Sequence, residues 1–150
     1  MTPTVDERLA SLIRSLSQVV LPHLPPEASL AQEQVHLTLG HLHILRAQLD
    51  AAPAFEADEA ADAAQHGRVL LALDGPGSSA LAAALTAAEQ EDNRSAVRTI
   101  HAAIDTYIRA AWNGADAAHR DTVSQLVLDY ERGRVLKDRQ WCAPFGFDTL

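Results

Sequence analysis

The chemistry-bearing residues of this chain are its histidines. Five of the seven fall on or beside apolar helical stripes: His36, His43, His66, His101 and His119. At about 100° per residue, His66 shares a narrow sector with Phe55, Asp62, Val69 and Leu73. His101 lies between Ile108 and Trp112, and His119 aligns with Leu126 and Tyr130. A carboxylate stands one helical turn from four of them. The pairs are Glu33 with His36, Asp62 with His66, Asp105 with His101, and Asp116 with His119. Residues three or four apart can share a helix face. A carboxylate there can orient an imidazole and raise its basicity, beside a metal or behind it. Helical bundles host metals and cofactors in their cores this way. The candidate ligand set is therefore His36, His43, His66, His101 and His119 with Glu33 and Asp62. Imidazole and carboxylate donors suit zinc, iron, manganese or nickel. The competing reading makes the same histidines polar core groups, each needing a hydrogen-bond partner because a bare buried polar atom is costly.

Known patterns match in part. Glu33-x-x-His36 resembles one of the two Glu-x-x-His motifs of ferritin-like di-metal bundles. Asp116-x-x-His119 is a carboxylate variant of the second, placed at a helix start. The separate bridging glutamates of that pattern are not evident. The paired histidines of hemerythrin are missing too, since no His-x-x-x-His occurs. Glu56-x-x-Glu59 and Glu89-x-x-Asp92 resemble the magnesium-binding pairs of all-helical nucleotide pyrophosphohydrolases, where hard oxygen ligands hold the ion. No basic cluster stands near them to take a phosphate, and both lie at helix ends. Cys142 is a single cysteine in an apolar segment, with nothing in the sequence to lower its pKa. Gly75-Pro-Gly-Ser-Ser79 lacks the lysine of a P-loop and reads as a turn. No family is assigned on these grounds.

The elements that must carry these residues are helices. Alanine and leucine dominate, and β-branched runs are short. Thr4 and Glu7 form a capping box opening a helix from about Val5 to Leu21, which Pro22, Pro25 and Pro26 end. Ser29 and Gln32 suggest a second box. The helix that follows, Leu30 to Leu49, is apolar over a broad surface and is expected to be central, with His36, Gly40, His43 and Ala47 along its midline. A third helix runs from about Ala54 to Leu73. A short fourth is capped by Ser78 or Ser79. It has only Leu81 and Leu85 as large apolar residues and is expected to be peripheral. Asn93 caps a fifth, with a stripe of Val97, Ile100, Ile104, Ile108 and Ala111. Asp116 caps a sixth, with a stripe of Val123, Leu126, Val127 and Tyr130 and a bend expected at Gly133. The expected fold is all-α, a compact bundle of about six helices, four of them long core helices, in one domain over residues 1–150.

Composition narrows the function. The formal charge of −8 leaves no basic surface for nucleic acid or anionic membrane. One cysteine excludes an intramolecular disulfide and a cysteine metal cage. No apolar run spans a bilayer, and the N-terminal residues lack the positive charge of a signal peptide, so the cytosol is expected. Residues 141–150 hold Trp141, Phe145 and Phe147. This apolar tail is expected to pack on the bundle or on a partner subunit. The leading expectation is a non-catalytic accessory or small-ligand-binding bundle, the expected partners being a second copy in a homodimer or a protein bound through the tail. The alternatives are a metal-binding bundle or metal-dependent enzyme and, more remotely, a magnesium-dependent pyrophosphohydrolase.

Overall fold

A computed structural model describes residues 2–142. Six α-helices follow one another, and no strand occurs among the described residues. They are α1 (Val5–Ser15), α2 (Ser29–Gln48), α3 (Ala52–Leu71), α4 (Ser78–Ala88), α5 (Asn93–Gly114) and α6 (Ala117–Cys142). No helix of these is long and apolar enough to cross a membrane. The described residues divide into two compact units, residues 2–52 with 140–142, and residues 53–139.

In the first unit, the Thr4–Glu7 box forms as expected. Thr4 Oγ1 accepts from the Glu7 amide at 3.2 Å, and the Thr4 amide donates to Glu7 Oε2 at 2.7 Å. Beyond Ser15 the helix widens into a π turn, Leu16–Val20, then tightens into a 3₁₀ turn, Leu21–His23. The second expected box does not form. Ala28 takes the N-cap position of α2, and the Gln32 side chain donates instead to the Pro25 carbonyl at 2.9 Å. Arg46 ties α2 to α1 through Asp6, with bonds of 2.6 and 3.0 Å. Gln48 donates to the Trp141 carbonyl at 3.3 Å. Trp141 and Cys142 form the end of α6, and residues 143–150 of the apolar tail, including Phe145 and Phe147, lie outside the described residues.

The expected centrality of α2 is corrected: none of its residues is buried. Val35, Leu39, Leu42 and Ile44 are half-buried, whereas Leu30, Leu37 and Leu45 are exposed. The cause is legible in the wheel. Apolar residues lie nearly all round this helix, so their spacing favours no single inward direction.

The core belongs to the second unit. Ala63 and Leu70 of α3, Leu81 of α4, Ile100, Tyr107 and Ala111 of α5 and Val123 of α6 form it. The fourth helix, expected to be peripheral, sends Leu81 fully into this core, and Leu85 packs against it. Its small side chains let it lie close along α5, where Ala88 and Ala96 are both buried. Gly67 of α3 leaves room for Leu85, since a Cβ there would stand 3.0 Å from that side chain. Helix α6 passes Gly133 without a break.

Two corners fix the register of this unit. Asp92, rather than Asn93, caps α5 by accepting from the Ser95 amide at 3.0 Å. The turn between α3 and α4 carries Asp74 at φ 46° and Gly77 at φ 95°. Glycine adopts that backbone without the Cβ penalty. The Ser78 hydroxyl closes the turn, donating to the Gly75 carbonyl at 2.8 Å and accepting its amide at 3.0 Å.

Candidate functional site

Within the second unit, the histidines of α3 and α5 meet on Tyr130 of α6. The rings of His66 and Tyr130 stack with centroids 4.2 Å apart and planes 1° from parallel. His101 stands edge-on to Tyr130, its Nε2 sharing a 2.9 Å hydrogen bond with the phenol oxygen. The Arg134 guanidinium lies over the Tyr130 ring at 5.8 Å, a favourable placement of a cation on a π face.

His66 is 7% exposed, and its Nε2 is buried with no hydrogen-bond partner. Arg134 Nε and Glu59 Oε1 are likewise buried without a hydrogen-bond partner, but each faces an opposite charge, Arg134 Nε the Glu59 carboxylate at 4.0 Å and Glu59 Oε1 the Lys137 ammonium at 3.3 Å. Buried polar atoms in folded proteins are nearly always paired, and one left bare costs about 1–3 kcal/mol. Burial holds the His66 pKa below its usual value; His101 nearby pushes the same way, against Glu131. Burial likewise lowers His101, with Arg134 adding to it against Glu131 and Glu59. Burial raises Tyr130 to about 12, opposed by Arg134 and helped by Glu59. At neutral pH the cluster is therefore two uncharged imidazoles and a protonated phenol.

The stacked pair lines two hollows. The larger, about 420 Å³, lies between α3 and α6, with Val69 and Leu126 as apolar wall and Asp62, Gln65, Asp129 and Arg134 around them. The smaller, about 210 Å³, includes His101, Ile104, Ile108 and Val127.

The carboxylates expected to serve the imidazoles are engaged elsewhere. Asp62 accepts from Lys137 at 2.8 Å, Asp105 pairs with Arg109 at 2.9 Å, and Asp116 caps α6 by accepting from the His119 amide at 2.8 Å. The last confirms the cap expected at Asp116. His119 itself bonds Tyr107, Nε2 to the phenol oxygen at 3.3 Å. Glu33, His36 and His43 are exposed on α2, so the expectation that all five histidines face inward holds for α3, α5 and α6 only. A Cβ on Gly40, between those two histidines, would meet nothing within 4 Å. No group of three or more His, Cys, Asp or Glu side chains among the described residues is arranged to hold a metal ion.

The acidic pairs have structural partners as well. Glu56 accepts from Arg94 Nε at 2.8 Å. Glu59, largely buried, stands 3.3 Å from Lys137 and 4.0 Å from Arg134. Asp92 is the α5 cap, and Glu89 is exposed.

Tyr130 was readable as a stripe residue, but its role as the meeting point was not. Tyr107 is fully buried, yet lies outside the stripe read for α5. The positions Ile100, Ile104, Tyr107 and Ala111 repeat at helical spacing and carry the missed signal. No family model matches the chain, and no curated protein or solved structure matches it.

Proposed function

We propose that this chain is a non-catalytic, small-ligand-binding helical bundle whose site is the hollow beside His66 and Tyr130. The observation that carries this is a hollow of about 420 Å³ lined by apolar Val69 and Leu126 and by the stacked rings of His66 and Tyr130, a cavity of ligand size. The apolar wall and the flat ring pair suit binding. Chemistry is less well served. Tyr130 stays protonated and shares its hydrogen bond with His101, and the nearby carboxylates sit in ion pairs.

A screen of small organic fragments, followed on the Val69 and Leu126 methyl and the His66 and Tyr130 ring resonances, tests the reading. Fragments that move those signals, and lose their effect in Val69→Trp, are expected. A screen whose hits all map elsewhere would overturn it.

The same reading places the protein in the cytosol as a homodimer. Supporting the dimer, Val5, Leu12 and Val19 on the first helical segment and Leu30 and Leu37 on α2 are exposed at seven-residue intervals. That is the interval of a helix-packing seam. Light scattering at micromolar concentration is expected to give the mass of two chains, and the mass of one would contradict it.

A further inference from the structure

Resting on the dimer in that reading, we infer that the second copy seats on the exposed face of the α1–α2 hairpin. Helix α1 of one chain then lies parallel to α2 of the other, and Arg8 of each chain pairs with Glu33 of its partner. The first ground is that the hairpin has no interior. No residue from 2 to 52 is buried, whereas residues 53–139 enclose a core. Leu9, Ile13 and Leu16 of the first helical segment are half-buried, as are Val35, Leu39 and Leu42 of α2. The neighbouring apolar positions Val5, Leu12, Leu30 and Leu37 are each more than half exposed. Two helices alone enclose no core, and two hairpins packed together make the four-helix arrangement that does.

The second ground is self-complementarity. In a symmetric pair the same surface of both copies meets, so each patch must match its own image. Arg8 stands three residues after Val5 and four before Leu12, and Glu33 stands three after Leu30 and four before Leu37. Both charges therefore sit on the exposed apolar faces, at the same step and with opposite sign. Both residues are exposed, and neither side chain has a hydrogen bond or ion pair among the described residues.

The third ground is direction. The Asp6–Arg46 ion pair joins the start of α1 to the end of α2, so the two helices run antiparallel, and Val5 and Leu30 lie at opposite ends of the hairpin. A two-fold axis across the hairpin, at right angles to both helices, exchanges those ends. It sets Val5 beside the partner's Leu30, Leu12 beside the partner's Leu37 and Arg8 beside the partner's Glu33, each contact occurring twice. Because both segments repeat at seven residues, the apolar contacts and the charge pair form in one register.

Charge reversal on the full chain tests the arrangement. Light scattering over a dilution series follows the parent, Arg8→Glu, Glu33→Arg, and an equimolar mixture of the two variants. The parent is expected to be a dimer. Each variant alone is expected to dimerise at least about tenfold more weakly, since two attractive contacts become repulsive. The mixture is expected to regain the parent's affinity, because one chain of each kind restores both pairs. A pairing of Arg8 with Glu33 inside one chain would not be rescued by mixing. Circular dichroism of each variant at the parent's strength shows that the helices remain. If either variant dimerises as the parent does, or the mixture associates no more tightly than the variants alone, the inference falls while the dimer stands on another surface. If the parent is a monomer at micromolar concentration, the inference and the dimer fall together.

Discussion

The second unit contains two tyrosine–histidine pairs, and they differ in which partner is buried. In one, Tyr107 is fully buried and half-buried His119 meets its hydroxyl at 3.3 Å. The α3–α4 turn presses on that pair. A Cβ on Gly75 would stand 2.5 Å from the His119 ring, and one on Gly77 would stand 3.1 Å from the Tyr107 backbone. The hydroxyl deep in the core has its partner, and close backbone fills the space around it. In the other, the histidine is the buried member. His66 stacks on half-buried Tyr130, whose hydroxyl is taken by His101, and His66 Nε2 has no partner. Hollows lie beside it where the first pair has a turn. The same two residue types thus make a latch in one place and an uncommitted polar atom in the other. Burial alone does not mark a site; a hollow of ligand size beside the stacked rings does.

The largest break in this comparison is expected from the tyrosines. Tyr107→Ala removes a fully buried ring and should cost about 3–5 kcal/mol by urea denaturation. Tyr130→Ala, at a half-buried ring, should cost less, about 1–3 kcal/mol. Equal losses would mean that both rings are core in the same sense.

Gly75→Ala comes next. Its Cβ cannot share space with the His119 ring, so that side chain must leave Tyr107 or the turn must shift. A loss of about 1–3 kcal/mol is expected, with His119 and Tyr107 ring signals moving and those of His66 staying in place. Gly77→Ala forces an alanine into φ 95° and should cost about 1–2 kcal/mol. A neutral outcome at either glycine would show that the turn does not press on the latch.

The smallest effect is on pH dependence. His66 and His101 are held below their usual pKa of 6.5, chiefly by burial. As pH falls below 6.5 the unfolded chain takes up protons that the folded chain does not. Stability contributed by these groups is therefore complete above 6.5, declines as pH falls toward their folded values, and levels off below those. His66→Phe should flatten that decline. A His66 whose imidazole titrates at or above 6.5 in the folded protein would reverse the sign.

Much of the fold was legible. The Thr4–Glu7 box, the prolines after Leu21, the Asp74–Gly77 turn and the Asp116 cap all stand where local chemistry puts them. Helix α2 was misjudged because its apolar residues surround it, and a wheel gives an inward direction only when one face is polar. Helix α4 was misjudged by its count of large side chains; an alanine-rich helix gains its place by close approach, and Leu81 alone reaches the centre of the core.

The site was half legible. Spacing put His66, His101 and His119 on inward stripes, and the structure agrees. It could not pair them, because one-turn spacing reports only neighbours on the same helix. The contacts that matter cross helices: His101 and Tyr130 are 29 residues apart, and Asp62 takes its cation from 75 residues away.

The most direct measurement is urea denaturation of His66→Phe beside His119→Phe. If Nε2 of His66 has no partner within the protein, replacing that imidazole by a ring of similar shape removes an unmet polar group. His66→Phe should then equal or exceed the parent in stability. His119→Phe leaves the Tyr107 hydroxyl bare in the core and should lose about 1–3 kcal/mol. A His66→Phe variant destabilised as much as His119→Phe would mean that His66 is a satisfied core residue, and the two pairs would not differ as described.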